Sequence, residues 1–271
     1  MQPFIEKLGI TVDFYTFLIS WGLIFTRVFV MLILTPFIGG RGIPGRIRLL
    51  TSFVLSGFVY YLIGDQLNQN MPDDYGLIIV LFFKEIFFGL AIGFVAVMCF
   101  YAIEAGGRIV DSQRGSANAQ IFLPSLGQVS IFGLFQYWLG LAFFLYMGGH
   151  ITFLSAFFES FQIVPVYSIP SIEPGISPFL KIIIRMSADV LIIGMQLAAP
   201  VLIAIFLTDM VLGIANKMAP QIPVFEIGFM LKGYVGSIMV YVSVFVIVTE
   251  MKDFFGVMNE NVRRIIIYFA G

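Results

Sequence analysis

The chain has almost none of the residues that build soluble chemical sites. Of its 271 residues one is cysteine, one is histidine and two are tryptophan, and charged residues make up only 11%. A single cysteine excludes a disulfide framework, and with a single histidine it excludes a Cys/His metal cluster. No Ser/His/Asp arrangement, P-loop or carboxylate pair at catalytic spacing stands in the chain, so an enzyme is not expected and neither is a cofactor. The formal net charge of −1 removes the basic field that nucleic-acid binding requires. No Ser/Gly/Pro-rich linker divides the chain, and one membrane domain over residues 1–271 is expected.

What is present is apolar. Hydrophobic residues make up 59% and the mean hydropathy is +0.99, a balance that no soluble domain covers with a polar surface. The fold class expected is therefore all-α and multispanning, because exposed strand edges are untenable in lipid. With roughly 20 apolar residues needed per crossing, about six segments qualify. They run from Phe14 to Ile38, Ile47 to Ile63, Leu77 to Ile103, Val129 to Phe158, Ile182 to Leu207 and Val224 to Val248. A last stretch, Met251 to Phe269, carries Lys252, Asp253, Glu260, Arg263 and Arg264 and reads as a separate interfacial or partner-packing helix. The N-terminal "MQPFIEKLGITVDFYTF" lacks a cleavage pattern and reads as retained.

The connections carry direction. "GGRGIPGRIR", Gly39 to Arg48, holds three arginines and is expected on the cytoplasmic side, while the acidic "GDQLNQNMPDDYG", Gly64 to Gly76, is expected outside. Ile163 to Pro178 contains four of the twelve prolines and reads as a non-helical connector. Six alternating spans then put the Arg263-Arg264 tail outside, against the positive-inside rule. Bent or re-entrant segments would remove the conflict.

Several residues resist a plain packing reading. "GRGIPG", Gly40 to Gly45, matches a dinucleotide fingerprint with Asp65 twenty residues on, but it follows a membrane-length helix rather than a strand. A glycine-rich turn is the better reading. Arg27, Lys84, Glu85 and Lys232 fall within apolar segments, and Asp189 and Asp209 near the ends of the fifth, where an unpaired charge costs at least ~2.5 kcal/mol at a helix centre. Lys84 and Glu85 are about 100° apart on a helix, which predicts different partners for each. Either such charges pair within the bundle, or they line a polar path or a subunit interface. "GLAIG", Gly89 to Gly93, permits close helix contact, within the chain or at a seam between subunits. His150 reads as a packing or hydrogen-bonding histidine.

The longest small and polar stretch is "DSQRGSANAQIFLPSLGQ", Asp111 to Gln128. On physical grounds it is either a solvated loop or an element that lines or blocks an aqueous path, with Ile121-Phe122-Leu123-Pro124 as an apolar constriction.

The order of motifs resembles one family, the FliR/SctT component of the type III export apparatus of bacterial flagella and injectisomes. The matching pieces are "TRVFVMLILTPFIGGRGIPGRIRLLTSFVLS", "KEIFFGLAIGF", "EAGGRIVDSQRGSANAQIFLPSLGQ", "GGHITFLSAFFESFQIVPV" and "LTDMVLGIANKMAPQIPVFEIGFMLKGYVG", across residues 26 to 236. The resemblance implies bent helical hairpins, with a FliP-like part over about residues 1–180 and a FliQ-like hairpin and tail over 181–271. It also implies FliP/SctR-like and FliQ/SctS-like partners, with FlhB/SctU-like and FlhA/SctV-like proteins nearby. The role implied is an entry pore for unfolded export substrates, in the inner membrane at a flagellar basal body or an injectisome base. The flagellar branch is favoured by the Gly-Gly-Arg-Ile-Val-Asp run and the C-terminal tail.

Carried onto this chain, the family's pore plug falls on Gly115 to Gly127, with Gly115, Ser116, Asn118, Ile121, Phe122, Leu123 and Pro124 as its named residues. Pro220, Gln221 and Phe225 take the hairpin bend, and Arg27, Glu85, Asp209, Lys217 and Lys232 take intersubunit or interhelical polar contacts. The rival class is an ion-coupled secondary transporter with its polar site at Arg27, Glu85 and Asp209.

Overall fold

Hydrocarbon offers a backbone amide no partner, so a chain this apolar satisfies its amides within helices. The computed structural model describes residues 14–40, 42–67, 72, 74–115, 130–169, 176–221 and 223–269, with backbone alone for Asp65 and Gln66. Among them stand eight helices and no strand: α1 (Phe14–Leu34), α2 (Pro36–Gly39), α3 (Gly45–Leu67), α4 (Tyr75–Gln113), α5 (Ile131–Tyr146), α6 (Gly149–Ile163), α7 (Ile176–Met218) and α8 (Val224–Tyr268). Five of these are long and apolar enough to cross a membrane, and the bent pair α5 and α6 makes a sixth if it counts as one span. The protein is all-α and multispanning.

Local chemistry explains where the helices depart from the expected segments. Pro36 disfavours helical backbone in the residue before it, and Thr35 is extended at φ −70°, ψ 123°, so the segment from Phe14 to Ile38 breaks in two. Val129 to Phe158 is not one continuous helix either. Gly148 takes φ 72°, a left-handed conformation that ends α5, and the chain leaves along α6 at 72°. The separate tail helix is also corrected. Met251 to Tyr268 continues α8 without a break, for a total of 45 residues, because no glycine or proline interrupts the turns between Thr249 and Phe255. Of the Pro-rich connector, Ile176 to Pro178 belongs to the first turn of α7, where proline is tolerated.

The chain divides into two compact units. The first comprises Met1–Val97, Ile151–Ile182 and Asn259–Gly271, and the second Met98–His150 and Ile183–Met258. In the first unit α4 packs on α1 through its glycines. A Cβ at Gly89 would lie 2.8 Å from the Arg27 carbonyl and 2.9 Å from Val30 Cβ, and one at Gly93 would lie 2.8 Å from Leu34 Cβ. The glycine face therefore serves an internal contact. Helix α3 follows α1 through Trp21 on Phe53 and Phe17 on Tyr60, at 4.7 and 5.2 Å between ring centroids. Phe269, just past α8, meets Phe87, Phe88 and Phe179. The second unit has its own centre, where Phe100, Phe144 and Phe255 meet and Val110 packs with Ala198, Val201, Ile205 and Val240.

Gly89→Ala should cost about 1–3 kcal/mol in detergent unfolding, since backbone and a β-branched neighbour must give way. Gly57→Ala, whose Cβ would meet nothing within 4 Å, should be neutral or stabilising by up to about 1 kcal/mol. Equal effects at the two positions would contradict the packing.

Candidate functional site

The first unit holds the most deeply buried charges. Arg27 on α1 has no solvent exposure, and its guanidinium forms a bidentate pair with Glu85 on α4, Nε to Oε2 and Nη2 to Oε1, the latter at 2.9 Å. Its remaining donors reach the end of α6: Nη1 donates to the Ser160 carbonyl at 3.0 Å and to Ser160 Oγ at 3.2 Å, and Nη2 donates to the Val164 carbonyl at 3.1 Å. The last carbonyls of a helix have no partner within it, so Arg27 closes α6 while Glu85 neutralises Arg27. The guanidinium also lies 4.2 Å from the Phe161 ring centroid, a cation–π contact.

Lys84 extends this network. Its Nζ lies 2.8 Å from Glu85 Oε1 and donates to the carbonyls of Pro165, Val166 and Ser168 at 2.9, 2.6 and 3.1 Å. Glu85 and Lys84 thus have different partners, Arg27 and the connector, and they also pair with each other. Four methylenes let the ammonium curl back to its neighbour's carboxylate while still reaching the connector. The connector is held again by a hydrogen bond between the hydroxyls of Tyr167 and Ser20. Burial raises the Tyr167 phenol above its ordinary value, against the Ser20 bond, which lowers it.

The polar residues of the second unit gather at the end of α4. Asp111 Oδ2 accepts from Ser130 Oγ at 2.7 Å and from the Phe132 amide at 2.8 Å, while Ser130 Oγ accepts from the Gly133 amide at 2.9 Å. Two side chains thus cap the N-terminus of α5, one of them from another helix. This needs near contact of backbones: a Cβ at Gly107 would lie 2.3 Å from the Phe132 carbonyl. Arg114 lies 3.4 Å from Asp111 Oδ1, stacks on Phe132 at 4.4 Å and donates to the Gly233 carbonyl of α8 at 3.3 Å. It leans on Gly236, whose added Cβ would come within 2.8 Å of Arg114 Cδ.

Asp111, Arg114, Ser130, Gly107 and Gly236 were not among the expected site residues. A serine before an apolar run is a helix-start signal, but nothing in sequence shows that an aspartate nineteen positions earlier shares the cap. These residues hold both stems of the polar stretch. Gly115, the last residue of the first stem, takes φ 81°. Ser116, Asn118, Ile121, Phe122, Leu123 and Pro124 lie outside the described residues.

Asp209 and Lys232 pair across α7 and α8 at 2.5 Å, partly exposed. Lys217 is exposed in the last turn of α7. The residues of the rival transporter site are divided: Arg27 and Glu85 belong to the first unit and Asp209 to the second. Within "GRGIPG", Gly42 takes φ 101°, and Arg48 donates to the Gly40 carbonyl at 3.0 Å. His150 Nδ1 is buried without a hydrogen-bond partner. Among the described residues no three His, Cys, Asp or Glu side chains gather as a metal site.

Residues 18–258 match the family described as bacterial export proteins, family 1. The chain belongs to this family, the FliR/SctT family of the type III export apparatus. The flagellar biosynthetic protein FliR of Bacillus subtilis (strain 168) is 30% identical over 246 residues, covering 90% of this chain and 93% of that protein. The Yop proteins translocation protein T of Yersinia pestis is 31% identical over 228 residues, covering 83% and 85%. FliR of Aquifex aeolicus is 27% identical over 241 residues, covering 88% and 90%.

The five apolar helices and membership in the export family fit a multi-pass protein of the bacterial inner membrane, and the family is a structural component of the export apparatus. In this family member Pro220 and Gln221 lie in the turn between α7 and α8. Phe225, 74% exposed in the first turn of α8, sits edge-on to Phe229 at 4.8 Å.

Arg27→Met should lower stability in detergent by about 3–5 kcal/mol, because it removes the bidentate partner of the buried Glu85 carboxylate, leaving that group to Lys84, and takes a donor from the Ser160 and Val164 carbonyls. Adding Glu85→Met should recover part of that loss, a coupling that a double-mutant cycle measures. Additive losses would contradict the pair.

Proposed function

We propose that the chain is the FliR/SctT-type subunit of a type III export gate, of the flagellar branch, which forms with FliP/SctR-like and FliQ/SctS-like subunits the pore for unfolded proteins. One observation carries the need for partners. Between Asp189 and Asp209 helix α7 has a charge-free stretch, Val190–Thr208, which at 1.5 Å per residue matches one hydrocarbon core of ~30 Å. Beyond Asp209 the helix still exposes Met210, Val211, Ile214 and Met218, at 53, 65, 61 and 81%. With one membrane thickness already used, that apolar surface calls for cover by protein.

On this reading residues 1–180 take the place of a FliP-like part and 181–271 of a FliQ-like hairpin, bent at Pro220, Gln221 and Phe225. FlhB/SctU-like and FlhA/SctV-like proteins stand beside the assembly. The stretch from Gly115 to Gly127 helps to close the pore, with Ile121, Phe122 and Leu123 excluding water, on stems that Asp111 holds. Arg27, Glu85, Asp209 and Lys232 act as interhelical contacts, and exposed Lys217 faces a neighbour. Energy comes from the proton gradient or from partners.

The chain should co-purify with two other small membrane proteins, and deleting residues 117–124 should make the assembled gate leak ions. A chain that purifies alone and binds a small solute would sink the reading, and unchanged conductance would sink the plug. If α5 and α6 form a re-entrant pair, five spans remain, and the Arg263-Arg264 tail shares the cytoplasmic side with Arg46 and Arg48. A reporter fused after Gly271 should then be active only in the cytoplasm.

A further inference from the structure

A cavity of about 670 Å³ opens in the second unit between the end of α4 and the facing parts of α7 and α8. Its lining takes in Gly115, where the plug reading begins, with Ser112 and Gln113 before it. Its walls include Asp209, Asn216, Lys232, Phe225, Phe229 and Gly213, and they restrict what fits.

Asp209 and Lys232 neutralise each other at 2.5 Å, so neither a free anion nor a free cation meets an uncompensated counter-charge. A lipid chain would suit the edge-to-face rings of Phe225 and Phe229 but would leave the Asn216 amide against hydrocarbon and strip the ion pair of water. The occupant that matches is neutral, carries donors and acceptors at short intervals, and has apolar groups between them. An extended polypeptide has that pattern, since its amides alternate with side chains that project to either side. Recognition through the backbone does not depend on sequence, which a site for many different chains requires.

We propose that this cavity seats an extended segment of the polypeptide in transit, an inference that rests on the export reading above. Asn216 and the Asp209–Lys232 pair take its backbone amides, and Phe225 and Phe229 take its apolar side chains. Gly213 keeps the space open. A Cβ added there would meet nothing within 4 Å, so a side chain can start into that space without a clash at its first atom.

The test uses the whole apparatus in membranes, with an export substrate stalled by a folded domain fused to its C-terminus. A photo-reactive phenylalanine derivative at Phe229 should capture the stalled substrate. Gly213→Leu should reduce that capture and the secretion rate by about tenfold, the factor that 1.4 kcal/mol represents, with an unchanged amount of assembled complex on native gels. Asn216→Ala should lower capture in the same direction. Capture only of a sister subunit or of this same chain, with or without substrate, would overturn the proposal, as would wild-type secretion by Gly213→Leu. The wild-type chain must first restore secretion to cells that lack it. Failure of that step removes the export reading itself, whereas restored secretion without capture at Phe229 removes only this site.

Discussion

A charge buried in an apolar interior must be matched group by group, and Arg27 shows how strictly. Its guanidinium has no solvent to fall back on, so each of its nitrogen atoms has a partner on α4 or at the end of α6. Placing those partners sets the geometry around them. Helices α1 and α4 approach closely because Gly89 stands one helical turn after Glu85, against the Arg27 carbonyl. The connector after α6 follows because Lys84, held by the same carboxylate, donates to three of its carbonyls. Such a network adds little stability over a well-packed apolar alternative. What it does is punish any other arrangement, because each would strand a charge.

The second unit meets the same constraint with weaker charges and closer backbones. Asp111 satisfies the Phe132 amide in the first turn of α5 from outside that helix, and the near contact at Gly107 makes the reach short. Arg114 then joins the α4 terminus to α8 through the Gly233 carbonyl and the seat at Gly236. A polar stretch leaves from one of these stems and returns to the other.

The outer surface tells a complementary story. Exposed apolar side chains continue along α7 past the length that a bilayer covers, with Met210, Val211, Ile214 and Met218 at 53, 65, 61 and 81% exposure. A surface of that kind is unfinished in water and over-long for lipid, which is the condition of a subunit within a larger assembly. Membership in the FliR/SctT family and the physical state of the surface lead to the same expectation.

Composition by itself determined the class of this protein, because so apolar a chain has no soluble solution and its amides have none but helices. Glycine and proline marked the breaks, although Gly148 and Pro36 were passed over inside long apolar runs, where local backbone preference competes poorly with a strong hydropathy signal. The unusual charges were equally legible as residues that must face something other than lipid. Which partner each one met was not. Helical periodicity gives the direction of a side chain around its own axis but is silent about the helix that stands opposite. Only the tertiary structure could bring Arg27 to the end of α6, fold Lys84 back onto Glu85 and lend Asp111 to the start of α5. Those pairings depend on distances across the fold, and glycines far apart in sequence set the distances.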